Sequence, residues 1–231
     1  MIRIGGLEKS SLLDYPDKVS AVIFTYGCNL RCPYCHNPEL VIEDFDKSRE
    51  ITQKYLFEFL KNRVGKLDAV VITGGEPLIY DDLDKLISKI KNLGYLVKLD
   101  TNGFYPEKLK KLLKQNLLDY IAMDVKYPKS DYLKISGKKT AYDKISKSIE
   151  LIKNSGVDYE FRTTYIKKFH NYRSAEKIGK MIEGSKRYYI QNFRPGKTID
   201  PYLSSEFSFK KSELNKIKKI IKQYVKSVYI R

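Results

Sequence analysis

The chain of 231 residues has no tryptophan, few histidines and only three cysteines, and it is short of negative charge, with 28 acidic against 44 basic side chains. No apolar run approaches the ~20 residues that span a bilayer. Residues 1–6 carry no apolar signal stretch, so the chain is expected to be soluble and cytoplasmic, with no membrane partner. There is no low-complexity segment, long linker or repeat, and no Lys/Arg block interleaved with aromatics, so nucleic acid is not the expected partner. The lysines are spread over most of the helical stretches, which reads as solvated surface. A formal charge of +16 still attracts acidic partners over long range. The cysteines lie within eight residues of one another, which excludes a disulfide framework built on an even number of dispersed cysteines.

What is present is an alternation of apolar strand-like runs with amphipathic helices. Strands are expected over 21–25, 68–73, 95–100, 118–125, 157–165 and 187–192. Helices are expected over 48–64, 80–93, 106–116, 141–155, 172–183 and 209–224, followed by an apolar tail over 225–230. Six such units predict an α/β fold with parallel strands and right-handed crossovers. An open doubly wound sheet and an incomplete barrel both satisfy the pattern, and both place ligands at the carboxyl ends of strands. The unusual residues obey that rule. Cys28, Cys32 and Cys35 follow the first strand, Gly74-Gly75-Glu76-Pro77 the second, Asp100-Thr101-Asn102-Gly103 the third and Met123-Asp124-Val125-Lys126 the fourth. Arg162 and Thr164 lie late in the fifth strand, and Gln191-Asn192-Phe193-Arg194 ends the sixth.

Three thiolates suit a soft metal or an iron–sulfur cluster, and three ligands leave one iron of a cubane without a protein ligand. Pro33 argues against a regular helix through the loop. Zinc would require a fourth ligand, for which only His36 is near. A Cys32-Pro33-Tyr34-Cys35 dithiol is the other alternative, although a redox dithiol opens a helix that Asn37-Pro38 interrupts here.

The spacing Cys28-x-x-x-Cys32-x-x-Cys35, with Tyr34 before the last cysteine and Gly74-Gly75-Glu76-Pro77 after the next strand, resembles the signature of the radical S-adenosylmethionine (SAM) superfamily. Residues 32–40 with Asp100-Thr101-Asn102-Gly103 and Met123-Asp124-Val125-Lys126 resemble glycyl-radical-enzyme activases. Residues 12–19 resemble the longer activators of anaerobic ribonucleotide reductase. The resemblance covers about residues 1–195. It implies an incomplete (β/α)6 TIM-like barrel, read here as one domain over 1–231. The cluster loop is placed at 27–38, the barrel core at about 20–195 and a C-terminal helix and tail at about 205–231. It also implies a [4Fe–4S] cluster on Cys28, Cys32 and Cys35, with SAM on the open iron. The expected protein partners are a glycyl-radical enzyme and a low-potential electron donor such as a flavodoxin or ferredoxin. The alternatives are a radical SAM enzyme acting on a nucleobase or RNA, and a non-enzymatic zinc or dithiol module. No second cysteine-rich insert exists, so auxiliary clusters are excluded.

Carried onto this sequence, the resemblance implies SAM contacts from Tyr34, His36, Gly74, Gly75, Glu76, Asp100, Asn102, Lys126 and Arg162. Asp100 would accept from the ammonium and Lys126 would pair with a carboxylate as a point charge. Asp100, Thr101, Met123 and Asp124 are candidates for a monovalent cation. Some relatives carry a histidine after the sixth strand, where this chain has Gln191-Asn192-Phe193-Arg194-Pro195, so that contact is not expected here. His170 is assigned no role.

Overall fold

The computed structural model describes residues 2–41, 48, 50–132 and 141–231. One eight-stranded sheet runs in sequence order from β1 to β8. β1 (Ile4–Ser11) is antiparallel to β2 (Ser20–Thr25). β3 (Ala69–Gly74), β4 (Leu96–Thr101), β5 (Tyr120–Asp124), β6 (Asp158–Tyr165), β7 (Arg187–Asn192) and β8 (Ser227–Ile230) follow, and every pair from β2 onward is parallel. Among the described residues the α-helices are α1 (Gln53–Lys61), α2 (Leu83–Lys91), α3 (Pro106–Lys114), α4 (Ala141–Lys153), α5 (Tyr172–Met181) and α6 (Lys211–Ile221).

Side-chain alternation along the strands sorts the residues into two faces. Ala21, Ile23, Val70, Ile72, Val97, Leu99 and Ile121 share one buried cluster with Leu56 and Leu60 of α1, Leu86 and Ile90 of α2, Leu109 of α3, Ile149 of α4, Ile178 of α5 and Ile217 of α6. The opposite face holds a smaller cluster of Tyr15, Val22, Ala69, Val71 and Tyr120, with no helix residue in it. Helices on one face only make the sheet wind around the other, which decides between the two architectures left open by the pattern. The sheet does not close, since β1 and β8 remain at its ends. This is an incomplete barrel. Tyr15, from the β1–β2 connection, helps to plug its amino end.

The structure corrects several boundaries. The sheet has eight strands, not six, because β1 precedes the expected first strand and the apolar tail forms β8. Helix α1 begins at Gln53, where Thr52 accepts from the Tyr55 N–H, so the expected start at 48 is early by more than a turn; residues 42–47 and 49 lie outside the described residues. A short 3-10 turn at Pro77–Ile79 precedes the stretch expected as a helix from residue 80, and α2 itself begins only at Leu83. After β7 the chain turns back over the cysteine loop. The Asp200 N–H donates to the Pro33 carbonyl at 2.8 Å, and Lys197 pairs with Glu39 at 3.1 Å.

Candidate functional site

The cysteine loop leaves β2 through Gly27, whose φ of +92° is open to glycine at little cost, and the Gly27 N–H donates to the Leu40 carbonyl at 2.8 Å. Within this closed loop, Cys28, Cys32 and Cys35 are free thiols that all line one cavity of about 190 Å3. Cys32 is buried, and the other two are partly so. The Leu30 N–H points at Cys28 Sγ from 3.4 Å, and the Asn102 amide nitrogen lies 3.8 Å from the same sulfur. Burial pushes the Cys28 thiol up to about 12 and raises Cys32 as well, with the Lys126 ammonium acting in the opposite direction on both.

Gly74 and Gly75 carry the end of β3 against this loop. The expected use of the two glycines is close approach to a ligand. They line the cavity, but the closest neighbours are backbone. A Cβ on Gly75 would stand 2.0 Å from the Gly27 carbonyl oxygen, and one on Gly74, at φ +117°, would stand 2.3 Å from the Thr25 nitrogen. The Glu76 N–H donates to the Gly27 carbonyl at 2.9 Å, so the double glycine joins strand end and cysteine loop into one rim.

Glu76 is fully buried beneath that rim. Its carboxylate accepts from Thr101 Oγ1 at 2.7 Å, from the Leu78 N–H at 3.1 Å and from the Asn102 N–H at 2.6 Å. Asn102 in turn accepts from the Phe104 N–H and donates to Asn29 in the cysteine loop at 2.9 Å. Burial pushes the Glu76 carboxyl up to about 7 against its three donors. A carboxyl raised on folding is neutral in the native state while the unfolded chain is already ionised, so its stabilising share is present below about pH 4.5 and lost as pH rises through about 7. The stability of the cofactor-free wild type, measured against Glu76→Gln, is therefore expected to fall by about 3 kcal/mol between pH 4.5 and 7.5. Denaturant melts across that range check it. The comparison with the variant is needed because His170, whose pKa burial lowers, contributes with the opposite sign below pH 6.5.

The carboxyl ends of β4, β5 and β6 bring a chain of charges to the inner face. Asp100 pairs with Lys98 at 2.6 Å and with Arg162 Nη1 at 3.0 Å, and Asp124 pairs with Arg162 Nε at 3.1 Å and with Lys126 at 3.4 Å. Burial by itself would raise both carboxyls, but Arg162 with Lys98 and Lys126 outweighs it and holds both below the ordinary carboxylate range. These strand ends include the expected cation site of Asp100, Thr101, Met123 and Asp124. The Arg162 guanidinium occupies the space between the two carboxylates, Thr101 Oγ1 is committed to Glu76, and the Met123 side chain is buried against Gly103.

Tyr34 and His36 separate. Tyr34 is buried in an aromatic cluster with Tyr127, Phe169 and His170, at ring distances of 5.9, 6.1 and 6.4 Å, so its side chain supports the loop from beneath and does not line the cavity. His36 stacks on Phe193 at 5.7 Å and lines a neighbouring hollow with Thr164, Gln191, Asn192, Arg194 and Arg231. His170 is a structural residue that sequence reasoning passed over. Its Nδ1 accepts from the Ile166 N–H at 3.2 Å, which leaves Nε2–H to donate to the Lys126 carbonyl at 2.8 Å, and its ring stacks on Tyr127. Lys98 and Glu160 were also missed. The signal for both was a charged residue at an inward position of a strand whose neighbours are apolar.

Among the described residues, no three His, Cys, Asp or Glu side chains converge on a single metal ion. Zinc needs all its ligands within ~2.3 Å of one point, so this arrangement does not suit it. Three thiols spread around one cavity, with a hydrogen-bond donor aimed at one sulfur, fit a larger cluster. The opening beside them, lined by Gly75, Glu76, Asp100, Asp124 and Lys126, offers acceptors for an ammonium and a cation for a carboxylate.

Residues 22–182 match the sequence profile of the Radical SAM superfamily. The chain is 37% identical to a Methanocaldococcus jannaschii protein named as a glycyl-radical enzyme activating enzyme, over 99% of this chain and 95% of that protein. It is 33% identical to GTP 3',8-cyclase of Helicobacter pylori, over 74% of this chain and 52% of that one. Its fold is similar to that of Streptococcus suis SuiB bound to the precursor peptide SuiA. The TM-score is 0.69 at 16% identity, covering 90% of this chain and 48% of SuiB.

Proposed function

The chain belongs to the radical SAM superfamily, whose cofactors are a [4Fe–4S] cluster and SAM, and from there we propose that it is an activase for a glycyl-radical enzyme. The observation that supports this best is the convergence on one cavity of three thiols, the double-glycine rim and the Asp100–Arg162–Asp124–Lys126 charges. Cys28, Cys32 and Cys35 would hold three irons. Held there, the cluster and SAM would supply one-electron cleavage of the sulfonium's carbon–sulfur bond, with methionine as the leaving product, and hydrogen-atom abstraction from a backbone glycine of the partner.

The chain's own residues supply position and exclusion. Gly74, Gly75, Glu76 and Asp100 receive the SAM ammonium, and Asn102 ties that rim to the cysteine loop. Lys126 receives the carboxylate, with Arg162 holding Asp100 and Asp124 in place. The backbone from Tyr34 to His36 takes the nucleoside. The Tyr15 plug keeps water out of the amino end. The monovalent cation is not part of this reading, since Arg162 takes its place.

A peptide glycine as hydrogen donor needs an open flank rather than a deep pocket, and an unclosed sheet has one. The resemblance at residues 12–19 names anaerobic ribonucleotide reductase as the partner. The positive charge suits an acidic flavodoxin or ferredoxin as donor. Residues 1–231 act as one cytoplasmic radical SAM domain, and no helix among the described residues is long and apolar enough to cross a membrane.

The test is anoxic reconstitution with iron and sulfide, reduction by dithionite, and assay of 5'-deoxyadenosine with and without a glycyl-radical enzyme of the same host. A glycyl-radical signal in the partner is expected by electron paramagnetic resonance. SAM cleavage without such a signal in any host glycyl-radical protein overturns the activase reading. The likeness to GTP 3',8-cyclase motivates a nucleotide substrate as the second reading, and GTP-dependent deoxyadenosine formation would favour it.

A further inference from the structure

We propose that Arg231 is a positioning residue for the cofactor cavity: by holding Glu160 it keeps the Arg162 guanidinium on Asp100 and Asp124. The strand registers set this up. Asp124, Arg162, Tyr189 and Tyr229 are successive partners across β5, β6, β7 and β8, and so form one row of the inner face from the cavity to the open flank of the sheet. Glu160 lies two residues before Arg162 on the same strand and the same face. It is 1% exposed, so its charge must be matched locally.

Three groups face Glu160. Tyr120 Oη donates to Oε2 at 2.9 Å. Arg231 Nη1 donates to Oε1 at 3.3 Å. Arg162 Nη1 stands 3.9 Å from that same Oε1 and 3.0 Å from Asp100 Oδ2. One guanidinium nitrogen therefore sits between two carboxylates, and it rests on Asp100 because Arg231 already serves Glu160. Arg231 is itself fixed. Its guanidinium lies 3.7 Å from the centre of the Tyr189 ring, and Tyr189 stacks on Tyr229 at 5.0 Å with 22° between the planes.

Without Arg231, Glu160 keeps one neutral donor. A buried carboxylate in that state attracts the nearest cation, which is Arg162. A shift of less than 1 Å, the difference between 3.9 and 3.0 Å, brings Nη1 onto Glu160 and loosens it from Asp100 and Asp124. Both of those line the cavity, so a residue at the outer flank acts on the cavity through Glu160, Arg162 and the two aspartates.

The first measurement needs no cofactor. The Arg162 Nε–H, bonded to Asp124, gives a distinct nitrogen-15 resonance in the apo chain, assigned by its loss in Arg162→Lys. Arg231→Met is expected to move that resonance, and adding Glu160→Gln to Arg231→Met is expected to return it, because the carboxylate that pulls Arg162 is then gone. Glu160→Gln by itself should leave it in place, and Arg231→Lys should move it less than Arg231→Met. In the second measurement the reconstituted, unreduced protein binds SAM roughly tenfold more weakly in Arg231→Met and within about threefold of wild type in the double variant.

An Arg162 resonance unmoved by Arg231→Met, or moved equally in the double variant, overturns the proposal. The binding experiment rests on the cavity's reading as a SAM site. Wild-type protein that binds no SAM would defeat that reading, while the resonance still decides the role of Arg231.

Discussion

Replacing Cys32 with alanine is expected to take the reconstituted protein from about four irons per chain to less than one, with loss of visible absorption and of 5'-deoxyadenosine formation. Cys28→Ala and Cys35→Ala should do the same. The chain has three cysteines in all, so no other thiol can replace the one removed. The apo fold should survive. Cys32 is small, and its backbone carbonyl, which accepts from the Cys35 N–H at 3.0 Å, is untouched by the substitution. Iron and sulfide analysis beside far-ultraviolet circular dichroism checks both halves. A Cys32→Ala protein that retains a full iron complement would remove the basis for the cluster.

Gly75→Ala is expected to be a strongly damaging single-methyl change at the site, and its mechanism is purely spatial. Gly75 does not have a left-handed backbone, but its Cβ would meet the Gly27 carbonyl oxygen at 2.0 Å and the Cys28 nitrogen at 3.2 Å. Backbone cannot rotate away as a side chain can. Either the end of β3 or the cysteine loop must move, which breaks the Glu76 N–H bond to Gly27. We expect a loss of at least about 2 kcal/mol, equivalent to about 6 °C in melting temperature for a chain of this size. Cluster assembly should be impaired beyond that loss, because Cys28 is displaced directly. Gly65→Ala is the control. Gly65 has φ +75° with no atom within 4 Å of its would-be Cβ, so only the left-handed strain of roughly 1 kcal/mol applies. Equal melting shifts in the two variants would refute the steric account.

These two predictions differ in how far they were visible in the amino-acid sequence. The cysteine loop was legible because its ligands are neighbours. Eight residues contain all three thiols, and spacing along so short a segment limits what they can do. The polar residues at Asp100, Asp124 and Arg162 were legible as strand ends, because parallel strands place their carboxyl ends on one edge. The reason for Gly75 was not legible. Its decisive neighbour, Gly27, lies 48 residues earlier, and only the register of β2 on β3 brings the two backbones together.

Lys98, Glu160 and Arg231 extend the same lesson. An inward-facing charge on a strand is detectable by alternation, but its partner is not. Glu160 meets Tyr120 and Arg231, which are 40 and 71 residues away, through the order of strands in the sheet. That order also brings the Arg162 guanidinium onto both Asp100 and Asp124.

Local chemistry, then, needed no coordinates. The thiol spacing, the glycine pair, the strand and helix rhythm and the surplus of positive charge are properties of short stretches, set by covalent connectivity and side-chain type. The choice of a wound, unclosed sheet over a two-sided one belonged to tertiary structure, because it depends on which face of every strand the helices cover. The assignment of each buried charge to its partner belonged there too, since burial forces every charge to find its nearest opposite in space, whatever separates the two along the chain.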